Sequence, residues 1–505
     1  MSSEHKMNRN AGNRSAMRKQ LLLSAAALML LSVGGCALMR EDTEPLNQIA
    51  VEQIRLMREI GVPQDTWPSA LWWQHFGDRQ LDALIERALK DSPTMAVFAA
   101  RVEASRAQAR LVDASHGLLV GLIAALDRTN VSEHGFLGPF AHTNPALGTT
   151  GPWYTGGTVG LGAEYSVDLW GKHRAQFDAA LGAHRARQAE AAEAGLRLSA
   201  QIAHVYYDIQ TTYSVLNLLE QARDIEQEAV DAHGARVAHG LEPQTQAELA
   251  LTHRLELDQQ INSAKTRVAT LHEMLRALIG SGPDELGAMS PLPLPASAGG
   301  VPSSLGFELL ARRPDLQAMR WYIQASLDQV EAAKAAFYPS FDIRAFAGFD
   351  SLHLEHLLQR SSRQINLIPG LSLPIFDSGR LNANLAVARS QSNVMIAQYN
   401  QSVLNAVREV AQAGLELDGL NRQASMQQAK VKAATVSFDS AEAHGRRGLL
   451  DEASAMEAKL PVLREQARML ELRSRQIHAG IALTTALGGG YDAREVDPAP
   501  LATVK

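Results

Sequence analysis

The chain has 505 residues, of which 46% are hydrophobic, 20% are charged and only 5% are aromatic. This apolar content is sufficient for a folded core, which excludes a wholly disordered chain. The formal net charge of -6 shows no basic excess, so no nucleic-acid partner is expected. The single cysteine, Cys36, excludes an intrachain disulfide and a cysteine-rich zinc site. The scarcity of aromatic residues is typical of long, alanine-rich helices.

Residues 1–35 have the pattern of a lipoprotein signal peptide. Basic residues precede an apolar stretch from Leu21 to Val33, which is too short to span a bilayer comfortably. The following Val33-Gly34-Gly35-Cys36 resembles a bacterial lipobox, in which the cysteine is lipidated and becomes the new amino terminus. Ala37 after it favours passage to the outer membrane. We therefore expect a covalent lipid on Cys36, no cofactor, and a lipid-anchored outer-membrane protein. The alternative is a signal anchor followed by an unmodified cysteine.

Landmarks in the sequence indicate an internal duplication. Gly171, Gly240 and Gly280 recur as Gly379, Gly448 and Gly488, each with an offset of 208 residues. The predicted repeats span 78–280 and 305–488. They are preceded by an N-terminal extended segment, 36–77, separated by a linker, 281–304, and followed by a C-terminal tail, 489–505.

The same order of elements is predicted for each repeat. A helix (about 79–116; 305–337) precedes two strands (within about 118–169; 340–376). An uninterrupted helical stretch follows (172–239; 380–447), and a Gly-Leu turn leads to a return helix (242–279; 450–487). At 1.5 Å per residue the longest stretch would extend about 100 Å. The helices alone are also compatible with an ordinary soluble bundle.

The strands argue against such a bundle. From Thr158 to Asp168 polar and small residues alternate with apolar ones, and both strands of the second repeat behave similarly. This alternation suits a strand with one face in lipid and one in water. Glu164 and Asp168 lie on the polar face and are expected to line a barrel lumen, either as simple solvation of the wall or as a binding site. An ordinary half-buried sheet is the alternative.

Four strands are too few to close a membrane barrel, because known barrels begin at about eight. An open edge in lipid would leave backbone groups unpaired. Several chains are therefore predicted to share one barrel. Three would supply 12 strands, and their helices would form a tube below it, which suggests a conduit across the periplasm.

Five motifs carry a resemblance to a known family. They are Trp72-Trp73 with Phe76 and Asp78, Asp168-Leu169-Trp170-Gly171, Leu310 to Leu316 (LARRPDL), Phe337-Tyr338-Pro339, and Pro374 to Arg380 (PIFDSGR). Together they resemble the TolC-like outer-membrane efflux proteins, in the lipoprotein branch. The resemblance implies a mainly α chain with a membrane β-barrel part, forming a homotrimer with a 12-stranded barrel and an α-helical periplasmic tunnel. It also implies two protein partners, a periplasmic adaptor and an inner-membrane transporter that supplies the energy.

The same resemblance assigns roles at the two Gly-Leu turns. Gly240, Leu241, Gly448 and Leu449 are the predicted adaptor-docking tips, although they are also ordinary turn residues. The family narrows its closed tip with two acidic residues three apart. Here the matching positions are Ser454 and Glu457, so only Glu457 is retained, with Asp451 as a nearby substitute.

Arg446 and Arg447 are predicted to pair with acidic residues of an adjacent helix and hold the tip shut. A threefold ring of Glu457 would favour cations. A solvated helix face is the plainer explanation of this glutamate.

No catalytic residues and no metal site are expected. His353 and His356 flank a carboxylate but lack further ligands. The predicted function is the passive exit duct of a tripartite drug efflux system, with a long periplasmic extension. A type I protein-secretion duct and a structural periplasmic coiled-coil lipoprotein remain alternatives, and the exported substrates are not readable from the chain.

Overall fold

The computed structural model describes residues 39, 42–49, 63–64, 67–147, 149–282, 285–287, 289–295, 301–302 and 312–491. The predicted signal peptide and Cys36 lie outside these residues. The chain forms two compact units, each assembled from three stretches. The first contains 1–46, 105–183 and 322–395, and the second contains 47–104, 184–321 and 396–505. No helix in the described ranges is both long and apolar enough to cross a membrane.

The described elements alternate between long helices and short strands. The helices are α1 (Arg79–Asp91), α2 (Pro93–Ala114), α3 (Lys172–Ala238), α4 (Gln244–Ile279), α5 (Pro314–Ala335), α6 (Arg380–Arg446), α7 (Glu452–Glu457) and α8 (Leu460–Ala486). The strands are β1 (Pro63–Gln64), β2 (Leu119–Asn130), β3 (Thr143–Asn144), β4 (Thr149–Thr150), β5 (Trp153–Val167), β6 (Val301–Pro302), β7 (Ser340–Ser351) and β8 (Arg363–Ser372). The short hairpin β3–β4 lies between β2 and β5 and was not predicted.

The element lengths reproduce the duplication. Helices α3 and α6 have 67 residues each, and both bounds of α6 follow those of α3 by 208 residues. Helices α2 and α5 have 22 residues each and both begin with a proline. The two long helices end within one residue of the predicted bounds, because Gly240 and Gly448 adopt positive φ angles of 69° and 72°.

Two predicted helices are interrupted, and a proline explains each break. The predicted helix 79–116 is divided at Ser92, which is extended with ψ 143° because it precedes Pro93. The predicted return helix 450–487 is divided into α7 and α8. Pro461 has no N–H to donate to the carbonyl of Glu457, and its ring would clash with that carbonyl in a continuous helix.

The main sheet belongs to the first unit. Its four strands have the order β2-β5-β7-β8 and all neighbours are antiparallel. The prediction for Asp168 is wrong in one respect: β5 ends at Val167, so Asp168 is not on the strand. Its Oδ2 instead accepts a hydrogen bond from the backbone N–H of Arg174, 3.0 Å away, and caps the first turn of α3.

The core of the second unit is built around paired aromatic residues. Trp72, Trp73, Tyr206 and Tyr207 are buried with Leu81 and other aliphatic side chains of α1, α3 and α4. The Tyr206 hydroxyl donates to Oδ2 of Asp78 at 2.6 Å.

The second arginine of the LARRPDL motif, Arg313, is also structural. Arg313 is buried, and it donates to Asp315 at 2.7 Å and to Glu409 at 2.9 Å. This contact ties the start of α5 to α6.

Candidate functional site

The two Gly-Leu turns have the same local structure. In the first, the N–H of Gly240 donates to the carbonyl of Val237 and that of Leu241 to Arg236. In the second, Gly448 donates to Gly445 and Leu449 to His444. These paired bonds satisfy the last carbonyls of each long helix. The side chains of Leu241 and Leu449 are both exposed, so each turn presents one apolar side chain.

Five side chains next to these turns form what we call the tip network: His233, Arg236, Glu242, Asp451 and Glu457. Nη1 of Arg236 donates to Oε1 of Glu242 at 2.9 Å, and its Nη2 lies 3.3 Å from Oδ1 of Asp451. Arg236 lies in the last turn of α3, whereas Asp451 is the N-cap residue of α7. The guanidinium therefore joins the two turns of one chain.

His233 provides a second connection between the turns. Its Nδ1 lies 2.7 Å from Oε2 of Glu242, and its Nε2 lies 3.8 Å from Oε1 of Glu457. Both ring nitrogens thus face carboxylates. All five side chains of the network are partly buried, so water screens their charges less than on an open helix face.

The charges of the network stabilise one another. Hydrogen bonds from His233 and Arg236 hold the pKa of Glu242 below its ordinary value. Hydrogen bonds from Ser454, followed by the charge of Arg236, lower the pKa of Asp451. The bond to Glu242 raises the pKa of Arg236 in turn. The ionised form is favoured at each of these positions.

The structure brings together two of the predicted gate residues. Glu457 and Asp451 both belong to the tip network. Arg446 instead pairs with Glu442 on its own helix at 3.1 Å. Within the described part of the chain, Arg447 is exposed and forms no ion pair, so its predicted role has no contact to support it.

Sequence reasoning missed His233, Arg236 and Glu242. The only available signal was the clustering of charged residues on both sides of the first Gly-Leu turn.

The sheet has two chemically different faces. On the polar face, Nε of Arg344 lies 3.3 Å from Oε1 of Glu164, directly across the β5–β7 register. Thr158 donates to Asp350 at 2.6 Å, and Ser166 donates to Asp342 on the same face. Neighbouring strands therefore pair their polar side chains, which supports a solvated surface.

The opposite face is apolar and exposed. It carries Leu122 and Leu126 of β2, Leu161 of β5, and Ile365 and Leu367 of β8. The exposed fractions of Leu122 and Ile365 are both 73%. A continuous apolar face of this kind on one chain marks a surface that is covered by lipid or by another protein.

Comparison with known proteins identifies the class. The sequence profile of the outer membrane efflux protein family matches residues 84–281 and 305–489, once for each copy of the duplication. The chain belongs to this family. It is an outer-membrane efflux channel protein and not an enzyme, as the motifs predicted.

Two relatives and one solved structure illustrate the similarity. The multidrug resistance outer membrane protein MdtP of Escherichia coli (strain K12) is 49% identical over 477 residues, which cover 94% of this chain and 98% of MdtP. The multidrug resistance outer membrane protein MdtQ of Escherichia coli O157:H7 is 37% identical over 464 residues, covering 92% and 97%. The crystal structure of the outer membrane protein VceC from Vibrio cholerae has a TM-score of 0.73 at 29% identity, covering 84% of this chain and 100% of that chain. The predicted mainly α fold with a four-stranded sheet is thereby confirmed.

Proposed function

We propose that this chain is one protomer of the passive exit duct of a drug efflux system, and that three copies share one 12-stranded barrel in the outer membrane. One observation carries the proposal: a sheet with an exposed apolar face has two outer strands, β2 and β8, that are hydrogen-bonded on one side only. In lipid each unpaired backbone group costs several kcal/mol, so these edges need partners from other copies.

The two faces of the sheet fit this arrangement. The exposed leucines and isoleucines of the apolar face contact lipid. Glu164, Arg344 and their polar neighbours line the water-filled interior. Twelve strands also leave a lumen wide enough to conduct solutes.

A lipid on Cys36 is consistent with the residues that follow it. Met39 packs against a buried cluster that includes Phe337 and Leu381, which lie near the start of β7 and of α6. Asp42 is paired with Arg389 and with Lys334, the latter at 3.2 Å. Only Ala37 and Leu38 stand between Cys36 and Met39 in the sequence, so a lipid on Cys36 would anchor the chain close, along the sequence, to the residues of this cluster.

The tip network is the proposed periplasmic gate. It holds the two turns of one chain together, so opening requires Arg236 to leave Asp451 and His233 to leave Glu457. Glu457 supplies the carboxylates of the pore constriction. Leu241 and Leu449 with their glycines remain the proposed docking points for a periplasmic adaptor, because both leucines are exposed beside the gate.

Drug export is the proposed task because relatives over nearly the full length are named multidrug resistance proteins. An inner-membrane transporter and the adaptor complete the system. A type I protein-secretion duct would use the same architecture, and drug susceptibility of a deletion strain separates the two. A structural coiled-coil lipoprotein would not need the amphipathic sheet.

Purified protein reconstituted in planar bilayers tests the duct directly. We expect trimers that dissociate on heating and that give discrete conductance steps. Well-folded trimers that give no conductance would refute the proposal.

A further inference from the structure

A cavity of about 290 Å³ lies between α3, α4 and α8, in the second unit. Seven of its twelve lining residues are apolar, among them Leu219, Leu257 and Leu463. The polar lining residues are Glu226, His253, Glu256, Gln260 and Arg464. A mainly apolar wall with a few convergent polar groups is the usual composition of a small-molecule site.

Glu226 is the unusual member of this lining. Its side chain is only 8% exposed, and no side chain or backbone group of the described residues donates a hydrogen bond to its carboxylate. The nearest basic group, Nδ1 of the His253 imidazole, lies 3.8 Å away, which is beyond hydrogen-bond distance. Burial raises the pKa of the Glu226 carboxyl. A carboxylate that is mostly buried and has no protein donor can gain a charge-assisted hydrogen bond from a donor that a ligand brings.

The charges around the cavity select the sign of that ligand. With the His253 imidazole neutral, Glu226 and Glu256 contribute two negative charges and Arg464 one positive charge, so the site has one net negative charge. Glu256 and Arg464 are exposed at the opening, whereas Glu226 is at the buried inner end. A single cation placed against Glu226 would neutralise the site and supply the missing donor.

We propose that this cavity binds an organic ammonium ion with a compact apolar body, with the ammonium group hydrogen-bonded to Glu226. The apolar body lies against the leucines of α3, α4 and α8. This site is distinct from the tip network, because none of the five network residues lines the cavity. The proposal concerns binding alone and does not depend on conduction.

Equilibrium dialysis of the full-length protein in detergent micelles tests it, with protein-free micelles as the reference for partitioning. The probe is 1-adamantanemethylammonium, and its neutral counterpart of the same shape is 1-adamantanemethanol. We expect saturable binding of the ammonium ion and binding of the alcohol that is weaker by about tenfold or more, as expected for a charge-assisted hydrogen bond.

Two variants and a control locate the site. Glu226→Gln preserves the shape of the side chain and should weaken the binding of the ammonium ion by a similar factor. Ala467→Leu fills part of the cavity from α8, retains Glu226 and should also weaken binding. Glu228→Gln changes an exposed carboxylate on the same helix and should bind like the wild type.

Absence of saturable binding to the wild type would overturn the proposal. Equal affinities for the ammonium ion and the alcohol, or unchanged affinity in both cavity variants, would do the same.

Discussion

Arg236 of the first copy and Asp451 of the second are joined by an ion pair, with Nη2 3.3 Å from Oδ1. This contact connects the two copies of the duplicated chain at their turns. No sequence pattern links the two residues. It is reinforced by Glu242 on one side and by the Ser454 bond to Asp451 on the other. The first prediction concerns this pair.

Arg236→Gln should favour the open tip. The substitution removes both charge-assisted contacts of the guanidinium, so the turns lose one of their two connections. Because ion pairs that remain partly exposed shift equilibria modestly, we expect the open state to be occupied roughly two- to fivefold more often in planar bilayers. Arg446→Gln is the matched control, since among the described residues the ion pair of Arg446 is with Glu442 of its own helix. Identical gating of the two variants would show that Arg236 does not contribute to the gate.

The proposed gate should also respond to acid. The folded-state pKa values of Glu242 and Asp451 lie below their ordinary values. A carboxyl of this kind contributes stability that is present above its unfolded pKa and is lost as the pH falls through its folded pKa. The closed tip should therefore persist at pH 4.5, the ordinary value for glutamate, and open only below it.

Conductance recorded between neutral pH and about pH 3 checks this expectation. In Arg236→Gln the two carboxyls return towards their ordinary pKa values, so opening should begin at a higher pH than in the wild type. A wild-type channel that already opens above pH 4.5, or an Arg236→Gln profile that matches the wild type, would contradict the prediction.

Substitution by alanine should change the stability of the protein differently at two helical glycines near the turns. A Cβ on Gly445 of α6 would lie 2.8 Å from Cβ of Ala455 in α7, so the short helix would have to move. A Cβ on Gly234 of α3 would meet nothing within 4 Å. Gly234→Ala should stabilise the protein by about 0.5–1 kcal/mol through helix propensity, whereas Gly445→Ala should lose this gain or destabilise.

Thermal unfolding of the two variants, followed by circular dichroism, measures the difference. Equal stabilisation by both substitutions would show that α7 does not pack closely against α6 in solution.

Cys36→Ser should abolish lipid attachment without removing the apolar strand face. The chain contains no other cysteine, so radiolabelled palmitate in the wild type can be assigned to this position. Each buried CH₂ contributes about 0.8 kcal/mol to anchoring. We expect loss of label from the variant, while its trimers still fractionate with the outer membrane. Undiminished label in Cys36→Ser would exclude the lipobox interpretation.

The long helices were predictable because their ends are local. Gly240 and Gly448 terminate them through their positive φ angles, and the presence of glycine at these positions indicates this conformation. The breaks at Ser92 and after Glu457 are equally local, because Pro93 and Pro461 disfavour a continuous helix there. Asp168 was misplaced because strict alternation continues one residue past the strand, where capping of α3 takes over.

The tip network was not predictable from periodicity. His233 and Arg236 lie on a helix whose charged residues repeat without a distinctive pattern. Their partners Asp451 and Glu457 belong to the other copy. Only the three-dimensional path of the chain brings Asp451 and Glu457 within reach. The apolar strand face, by contrast, followed from period-two alternation alone.

The order β2-β5-β7-β8 has a consequence for assembly. An even number of antiparallel strands leaves its first and last members pointing in opposite directions, so the seam between any two copies is itself antiparallel. Strand polarity is thus satisfied for any number of copies in the ring. The stoichiometry of the channel must then be dictated by how the helices pack, and substitutions in the helices rather than in the strands are where an altered copy number would arise.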